Sequence, residues 1–540
     1  MRGAAVDEPP PVEIDSADCM PRSLPACLPF IWSRILFPGT APEPTPLRWT
    51  TVLLVVFLPA ALLYPCITFP LFEPDEGRYA EIPREMLERG EVVVPYLQGE
   101  PYLDKPPLMY WLSMGCYRLF GVHDWAARLP AALAIHGCVL LIYLLGRRSL
   151  GERAARWGAL VLCLAPGFMT IGRLLVLDGV LAWWVTLSVL SAFEAIRGTS
   201  LGWGWWLLSA AACGLGVLTK GPVALILLLP PLWAYGRLAR PSCVVSGRAW
   251  LAFFGTVLVV ALPWYAAICV RLPEFASYFL WDHNVVRFLA PFDHLEPIWY
   301  YAPILLIGLL PATLLLVPFI RYLLAADPKT AAGRCPELGF MLLAGGWCVL
   351  FFSLSGCKLP TYILPAFPML ALALGYFVAA SRWQTFPWLR SAAAIAIMFM
   401  AAAQHLAVPW YAAYRSPGAR LEDVSRYFAD RDIPVICFPR PCDSLGFYLN
   451  RDDLRSFRSK QIDALRAALR EHPRTVVVCT HRHSLNGLRQ ALPPELRLCD
   501  ETHVGLAGIR GVPDWLMEKI IRLAGETPLG LCDVAIVERR

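Results

Sequence analysis

At 540 residues, with 57% hydrophobic and only 17% charged side chains and a mean hydropathy of +0.51, the chain is too apolar for an ordinary soluble protein and reads as a polytopic membrane protein. Its formal net charge of +6 comes from 48 basic residues set among 42 acidic ones, so no nucleic-acid footprint is present. The 17 cysteines lack the paired spacings of a zinc site or a compact disulfide scaffold, and most stand in apolar runs, where Cys acts as a small hydrophobe.

Residues 1–46 are Pro-rich and acidic at the start, which predicts a disordered cytoplasmic extension; within it LPFIWSRILF, around Phe30, has the makings of a short surface amphipathic segment. No signal peptide is read: the first apolar run begins after Arg48 and is as long as a full span. Apolar runs then recur at 49–70, 126–146, 157–172, 178–196, 203–219, 221–236, 250–270, 299–320, 338–356, 359–380 and 391–411. Each is long enough, or nearly so, for a hydrocarbon core of about 30 Å, giving about eleven crossings. The shorter run 107–121 fits an interfacial or re-entrant helix.

Short loops set the orientation. Arg147, Arg148, Arg153, Arg156, Arg197, Arg237, Arg240, Arg248, Arg321, Lys329, Arg334, Arg382 and Arg390 fall on one side, which the positive-inside rule assigns to the cytoplasm. The N-terminus is then cytoplasmic and everything after residue 411 is outside. From about 417 to 540 helix-like stretches (LEDVSRYFADR, QIDALRAALREH, SLNGLRQAL) alternate with β-branched runs (PVICF, RTVVVCT, CDVAIVE), the pattern of a small α/β domain capping the outer face. No motif in it looks catalytic. Cys437, Cys442, Cys479, Cys499 and Cys532 would meet an oxidising compartment there, but sequence assigns no pairing.

The densest charge lies between the first two spans, in FEPDEGRYAEIPREMLERGEVVVPYLQGEPYLDKPPLMYW, residues 72–112. Glu81, Arg84, Glu85, Glu88 and Arg89 alternate in sign at three- and four-residue spacing, the decoration of a solvated helix. Asp75, Glu76, Arg78, Tyr79, Tyr102, Asp104 and Lys105 stand instead at the membrane-proximal ends of the loop, where a charge is costly without a partner or a substrate. The orientation places Asp178, Lys220, the segment with His283 and Arg287, and Lys358 on the same outer face.

Lys105, Lys220, Arg287 and Lys358 come from four loops, and four converging cations repel unless an anion lies between them. A phosphate or pyrophosphate at headgroup depth suits them; for Lys220, in LTKGP, and Lys358, in SGCKLPTY, separate snorkelling to lipid headgroups is the plain alternative. Asp178 reads either as a helix cap or as a functional carboxylate. Asp75, beside Glu76, is a candidate base for an acceptor hydroxyl. His283, in WDHNVVRF, reads as a metal ligand, a base or a histidine satisfied in the core.

These residues carry a resemblance. The stretch PDEGRYAEIPREMLERGEVVVPYLQGEPYLDKPPLMYW, followed by LFGVHDWAARLPAAL, resembles the first outer loop of the bacterial 4-amino-4-deoxy-L-arabinose lipid A transferase-like family, GT-C fold glycosyltransferases that use lipid-linked sugars and are related to protein O-mannosyltransferases; LTKGP and KLPTYILPAFPMLAL resemble later motifs, over residues 50–410 in all. The resemblance implies a GT-C fold of about 11–13 transmembrane helices with the small C-terminal α/β domain outside. It implies transfer of a sugar, with inversion, from a polyprenyl-phosphate donor to an outer-face acceptor, lipid A in the first instance, with another glycolipid or a protein as the alternative. Asp75 then matches the family's first-loop aspartate and Asp178 a second aspartate. Lys105, Lys220 and Arg287 match the cations that hold the donor phosphate, and Tyr79 and Tyr102 line the same cavity. Asp104 and His283 are nearest to a divalent-metal pair found in some members, although Asp stands here for the more usual Glu. A transporter for a lipid-linked anion would use the same cations, but no inverted repeat or paired broken helix supports it.

Overall fold

The computed structural model describes residues 47–239, 243–290, 293–381, 386–416, 418, 421–480, 484–503 and 533–540. The N-terminal extension, Arg240, Arg382 and Cys532 lie outside them.

All eleven predicted apolar runs contain helix. Among the described residues six helices are long and apolar enough to cross a membrane, Trp49–Cys66, Asp124–Leu150, Leu177–Ile196, Gly247–Arg271, Pro336–Leu354 and Pro387–Ala412. The chain is a multi-span membrane protein. The eighth run is broken into Tyr301–Gly308 and Ala312–Leu324, bent by 105°. Pro311 sits at the break, where a residue without an N–H cannot continue the hydrogen-bond ladder. Val223–Leu238 and Ala366–Ala380 are shorter apolar helices. One close approach ties the bundle together: a Cβ on Gly375 would lie 2.3 Å from the Gly158 backbone nitrogen, so Ala366–Ala380 and Glu152–Leu164 meet backbone to backbone.

Between the first two spans the loop folds into a helix, Asp75–Arg89, a two-residue hairpin of β1 (Tyr96–Leu97) and β2 (Glu100–Pro101), and a second helix, Leu108–Phe120. Asp75–Arg89 is signposted in sequence. Asp75 and Glu76 in its first turn and Arg89 in its last complement the helix dipole. Gly90, at φ 64°, ends it in a left-handed turn that returns its N–H to the Leu87 carbonyl and that of Glu91 to Met86. The helix is nevertheless not solvated. Glu81, Arg84 and Glu85 are buried; Glu88 and Arg89, in the last turn, are exposed. Arg84 donates to both Glu81 carboxylate oxygens, at 2.5 and 2.7 Å, and to the Asn450 side chain at 2.8 Å; Glu85 accepts the Gln98 and Gly99 N–H groups. The spacing that suggested an exposed face serves a buried network, because the C-terminal domain covers it.

That domain holds a five-stranded sheet of β3 (Val435–Phe438), β4 (Arg455–Ser456), β5 (Arg474–Cys479), β6 (Leu496–His503) and β7 (Asp533–Arg539) in the order β4-β3-β5-β7-β6. The first three are parallel; β7, last in sequence, inserts antiparallel between β5 and β6. Alternation of side chains separates two cores, Val435, Val476, Val478 and Ile536 on one face and Ile436, Val477, Ala535 and Val537 on the other. Both faces are covered, which is why the strands read as unbroken apolar runs. The domain docks on the first loop through Asp443–Leu449. Glu73 accepts the Ser444 N–H at 2.6 Å, Tyr448 accepts the Leu71 N–H at 2.8 Å, and Arg89 meets Asp452 at 2.9 Å. Gly77, in the DEGRY motif, allows this contact, since a Cβ there would lie 2.6 Å from the Ser444 nitrogen.

Candidate active site

A cavity of about 960 Å³ lies between the first loop, one end of the bundle and the C-terminal domain. Of the predicted residues, Asp75, Arg78, Tyr79, Tyr102, Asp104, Lys105, Asp178, Lys220, His283 and Arg287 line it. Asp75 opens the Asp75–Arg89 helix with its side chain 49% exposed and faces Arg78 at 3.9 Å. Tyr79 is one turn further on and buried.

Asp178 starts the helix Leu177–Ile196 but makes no capping bond. Its Oδ1 is 2.5 Å from Lys220 Nζ. Lys220 is the last residue of Trp203–Lys220, turned off by Gly221 at φ 85°, and its ammonium also lies 4.1 Å from the Tyr362 ring centre. Lys220 thus points into the cavity rather than out to lipid.

Lys105, Asp104 and His283 form one cluster. Lys105 Nζ is 2.6 Å from His283 Nε2, and His283 Nδ1 is 4.0 Å from Asp104 Oδ1, which also accepts the Tyr278 hydroxyl at 2.5 Å. Burial, with Lys220 and Arg287 nearby, pushes the Lys105 ammonium down to about 7 in spite of Asp104. Burial and Lys105 hold His283 down at about 3, so its ring is neutral and Nε2 accepts from Lys105. For Asp104 burial is outweighed by Tyr278 and Lys105, and its carboxyl lies below the usual range. Arg287 completes the cationic group and is paired with Asp293 at 3.0 Å.

Asp104 and His283 are two donors, fewer than the three protein ligands of a typical catalytic centre. Among the described residues no group of three His, Cys, Asp or Glu could hold a metal ion, and Lys105 stands against the free imidazole nitrogen. The donor set does not close a metal site, and no step below is routed through one.

A smaller apolar groove of about 240 Å³ joins the cavity at this point. Lys105, Lys220, His283, Arg287 and Tyr362 line both, and the groove continues between Val223, Ile226, Phe279, Phe288, Phe351 and Phe352. The three cations therefore stand where a polar chamber meets an apolar slot.

Two expected residues lie elsewhere. Glu76 is buried away from the cavity, held by Arg128 at 2.6 and 2.7 Å and by the Leu175 N–H at 2.8 Å, so it ties the loop to the helices beneath it. Lys358 is 3% exposed and donates to the Glu296 carbonyl at 2.7 Å and to the Ser355 carbonyl, fixing a turn; it neither joins the cationic group nor reaches lipid headgroups. Conversely, Tyr278, Asp293 and Tyr362, and Asp443, Arg455 and Arg458 of the C-terminal domain, line the cavity without having been singled out in sequence. Asp293, six residues after Arg287, was findable in that charged segment; the tail residues carry no local signal.

The model of the dolichyl-phosphate-mannose-protein mannosyltransferase family matches residues 47–279. The superposition with the crystal structure of ArnT from Cupriavidus metallidurans bound to undecaprenyl phosphate gives a TM-score of 0.68 at 20% identity, covering 91% of this chain and 98% of that one; for its apo state the TM-score is 0.70. The chain has the GT-C glycosyltransferase fold. In sequence it is 36% identical over 338 residues to the undecaprenyl phosphate-alpha-4-amino-4-deoxy-L-arabinose arabinosyl transferase of Edwardsiella ictaluri, an alignment spanning 59% of this chain and 58% of that relative's length. The resemblance to the aminoarabinose transferase-like family is borne out.

Proposed function

We propose that this GT-C protein is an inverting glycosyltransferase that moves a sugar, 4-amino-4-deoxy-L-arabinose in the first instance, from a polyprenyl-phosphate donor to lipid A at the outer face of the bacterial inner membrane. The observation that carries this reading is the shared position of Lys105, Lys220 and Arg287 at the junction of the polar cavity and the apolar groove. A lipid with one phosphate between a long apolar tail and a sugar has that sequence of chemistries. The tail follows the groove, the phosphate meets the cations, and the sugar enters the chamber with Tyr79 and Tyr102. Two relatives support the reading: the Cupriavidus protein binds undecaprenyl phosphate, and the Edwardsiella enzyme is named for the aminoarabinose it transfers.

Substitution at the anomeric carbon expels polyprenyl phosphate, and the cations stabilise the charge that develops on it. Asp178 holds Lys220 in place at 2.5 Å. Asp75, half-exposed beside Arg78, orients the acceptor and takes the proton of an attacking hydroxyl; an ionised phosphate acceptor needs no base. In this reading residues 1–46 are a cytoplasmic extension, 47–416 the catalytic membrane domain and 417–540 the periplasmic domain.

The test is transfer by the purified full chain in detergent, from a radiolabelled polyprenyl-phosphate sugar, with and without lipid A. Label moving to lipid A supports enzyme class and acceptor together. Movement only to a peptide or another glycolipid keeps the mechanism and changes the acceptor, and no transfer to any acceptor overturns the reading.

A further inference from the structure

A second groove, of about 520 Å³, opens off the cavity on the side of the C-terminal domain, sharing Pro74, Arg78, Pro441 and Arg458 with it. Its other cations, Arg440 and Lys460, come from the segment after β3 and the turn after β4, and both are exposed, as is Arg458. None of these three has a carboxylate within ion-pair distance among the described residues. Arg78, by contrast, is already engaged with Asp443 at 3.5 Å. The groove holds one acidic residue, Glu73, which is buried. Burial and the nearby Asp443 push its carboxyl up to about 8, so at neutral pH it does little to offset the cations.

The walls are Pro74, Pro439 and Pro441, which donate no backbone N–H and set a fixed channel. Three cations with no carboxylate in ion-pair distance among the described residues, beside the Ser459 hydroxyl, suit a multivalent oxyanion, and phosphate is the one that Arg and Lys hold best. The groove leads to Pro74 and Arg78, which flank Asp75, and not to the apolar slot. An anion held there is thus on the acceptor side of the reaction, with the donor phosphate held separately at Lys105, Lys220 and Arg287.

We propose that Arg440, Arg458 and Lys460 form a docking site for a phosphate group of the acceptor, placing the phosphorylated glycolipid so that its reacting group reaches Asp75. The proposal rests on the transferase reading given above. It assigns the C-terminal domain a part in substrate selection.

The experiment compares the wild-type full chain with R440Q/R458Q/K460Q in nanodiscs, using lipid A and a lipid A dephosphorylated at the sugar remote from the transfer position. For the phosphorylated acceptor the triple variant is expected to raise KM at least about tenfold while leaving the donor KM within twofold, so that the preference for the phosphorylated acceptor collapses. An equal loss on both acceptors, or no change on either, overturns the site. Repeating the comparison in nanodiscs with and without anionic phospholipid separates the sources of phosphate: a defect that vanishes in zwitterionic nanodiscs assigns the cations to bilayer headgroups and overturns the proposal. Equilibrium binding of lipid A alone is measured alongside. If the wild type transfers no sugar, the transferase reading fails; unchanged binding of lipid A by the variant rejects the docking site whatever the outcome for transfer.

Discussion

Two groups of buried or half-buried charge lie in the same loop system and behave in opposite ways. Along the helix Asp75–Arg89 each buried carboxylate has a protein partner: Glu81 has Arg84, Glu85 has two backbone N–H groups, and Glu76 has Arg128. At the cavity the balance is open at one cation: Lys220 meets Asp178 and Arg287 meets Asp293, while Lys105 donates, among the described residues, to the Asp104 carbonyl and the His283 ring. Burial, with Lys220 and Arg287 nearby, depresses Lys105 to about 7, and its side-chain hydrogen-bond partner is the neutral ring of His283. Satisfied charge holds the loop and the C-terminal domain together. Charge that is not fully compensated is what a phosphate can complete. The distinction is drawn by partners.

The sharpest way to break the comparison is to change one member of each group and ask whether activity or stability responds. Asp75→Asn should lower transfer by about 10²–10⁴-fold, the range for loss of a general base, with an unchanged elution profile and melting curve, because its side chain is 49% exposed and only one distant ion pair is lost. Wild-type turnover in that variant would remove Asp75 from the mechanism. Arg84→Ala should do the reverse. It strands Glu81, whose side chain is fully buried, and should destabilise the fold by about 3–5 kcal/mol, read as a lower melting temperature in detergent. Arg84→Lys should restore only part of it, since an ammonium cannot reproduce the two-pronged contact with Glu81.

Much of the fold was legible because hydrocarbon thickness and strand alternation leave periodic marks: the eleven apolar runs and the three tail strands at 435–438, 474–479 and 533–539. Strand β6 was missed because Leu496 and Leu498 are followed by Cys499, Asp500, Glu501 and Thr502, a polar run whose pairing is set by β7. Of the candidate cavity, the lining residues Lys105, Lys220 and Arg287 were legible because there charge meets hydrocarbon. Three readings failed for one reason. The face of Glu81 and Arg84 is covered by a domain more than 300 residues away in sequence, Glu76 is captured by Arg128 from the span Asp124–Leu150, and Lys358 turns back to its own loop. Residue spacing reports which side chains share a helix face; it carries no information on what distant segment covers that face. The same blindness hid Asp443, Arg455 and Arg458.

A milder change sharpens the account of the open group. Lys105→Gln keeps a polar side chain but removes one cation from the proposed phosphate position, and should weaken donor binding by about 10- to 100-fold, as expected for a lost charged hydrogen bond, with a smaller effect on the acceptor KM. The wild type offers the same test without mutation. Free Lys105 titrates near 7, and an anionic donor phosphodiester raises that value by favouring the ammonium. Donor binding therefore takes up a proton when the pH is above about 7. Affinity should be level below that pH and fall above it by up to tenfold per unit until the raised value of the bound state is reached. In Lys105→Gln the slope should disappear. Calorimetry in two buffers of different ionisation enthalpy reads the proton uptake directly: uptake above pH 7 that is lost in the variant places Lys105 on the phosphate. Binding of the wild type that is flat from pH 6 to 9 would mean that the donor phosphate rests on Lys220 and Arg287 alone.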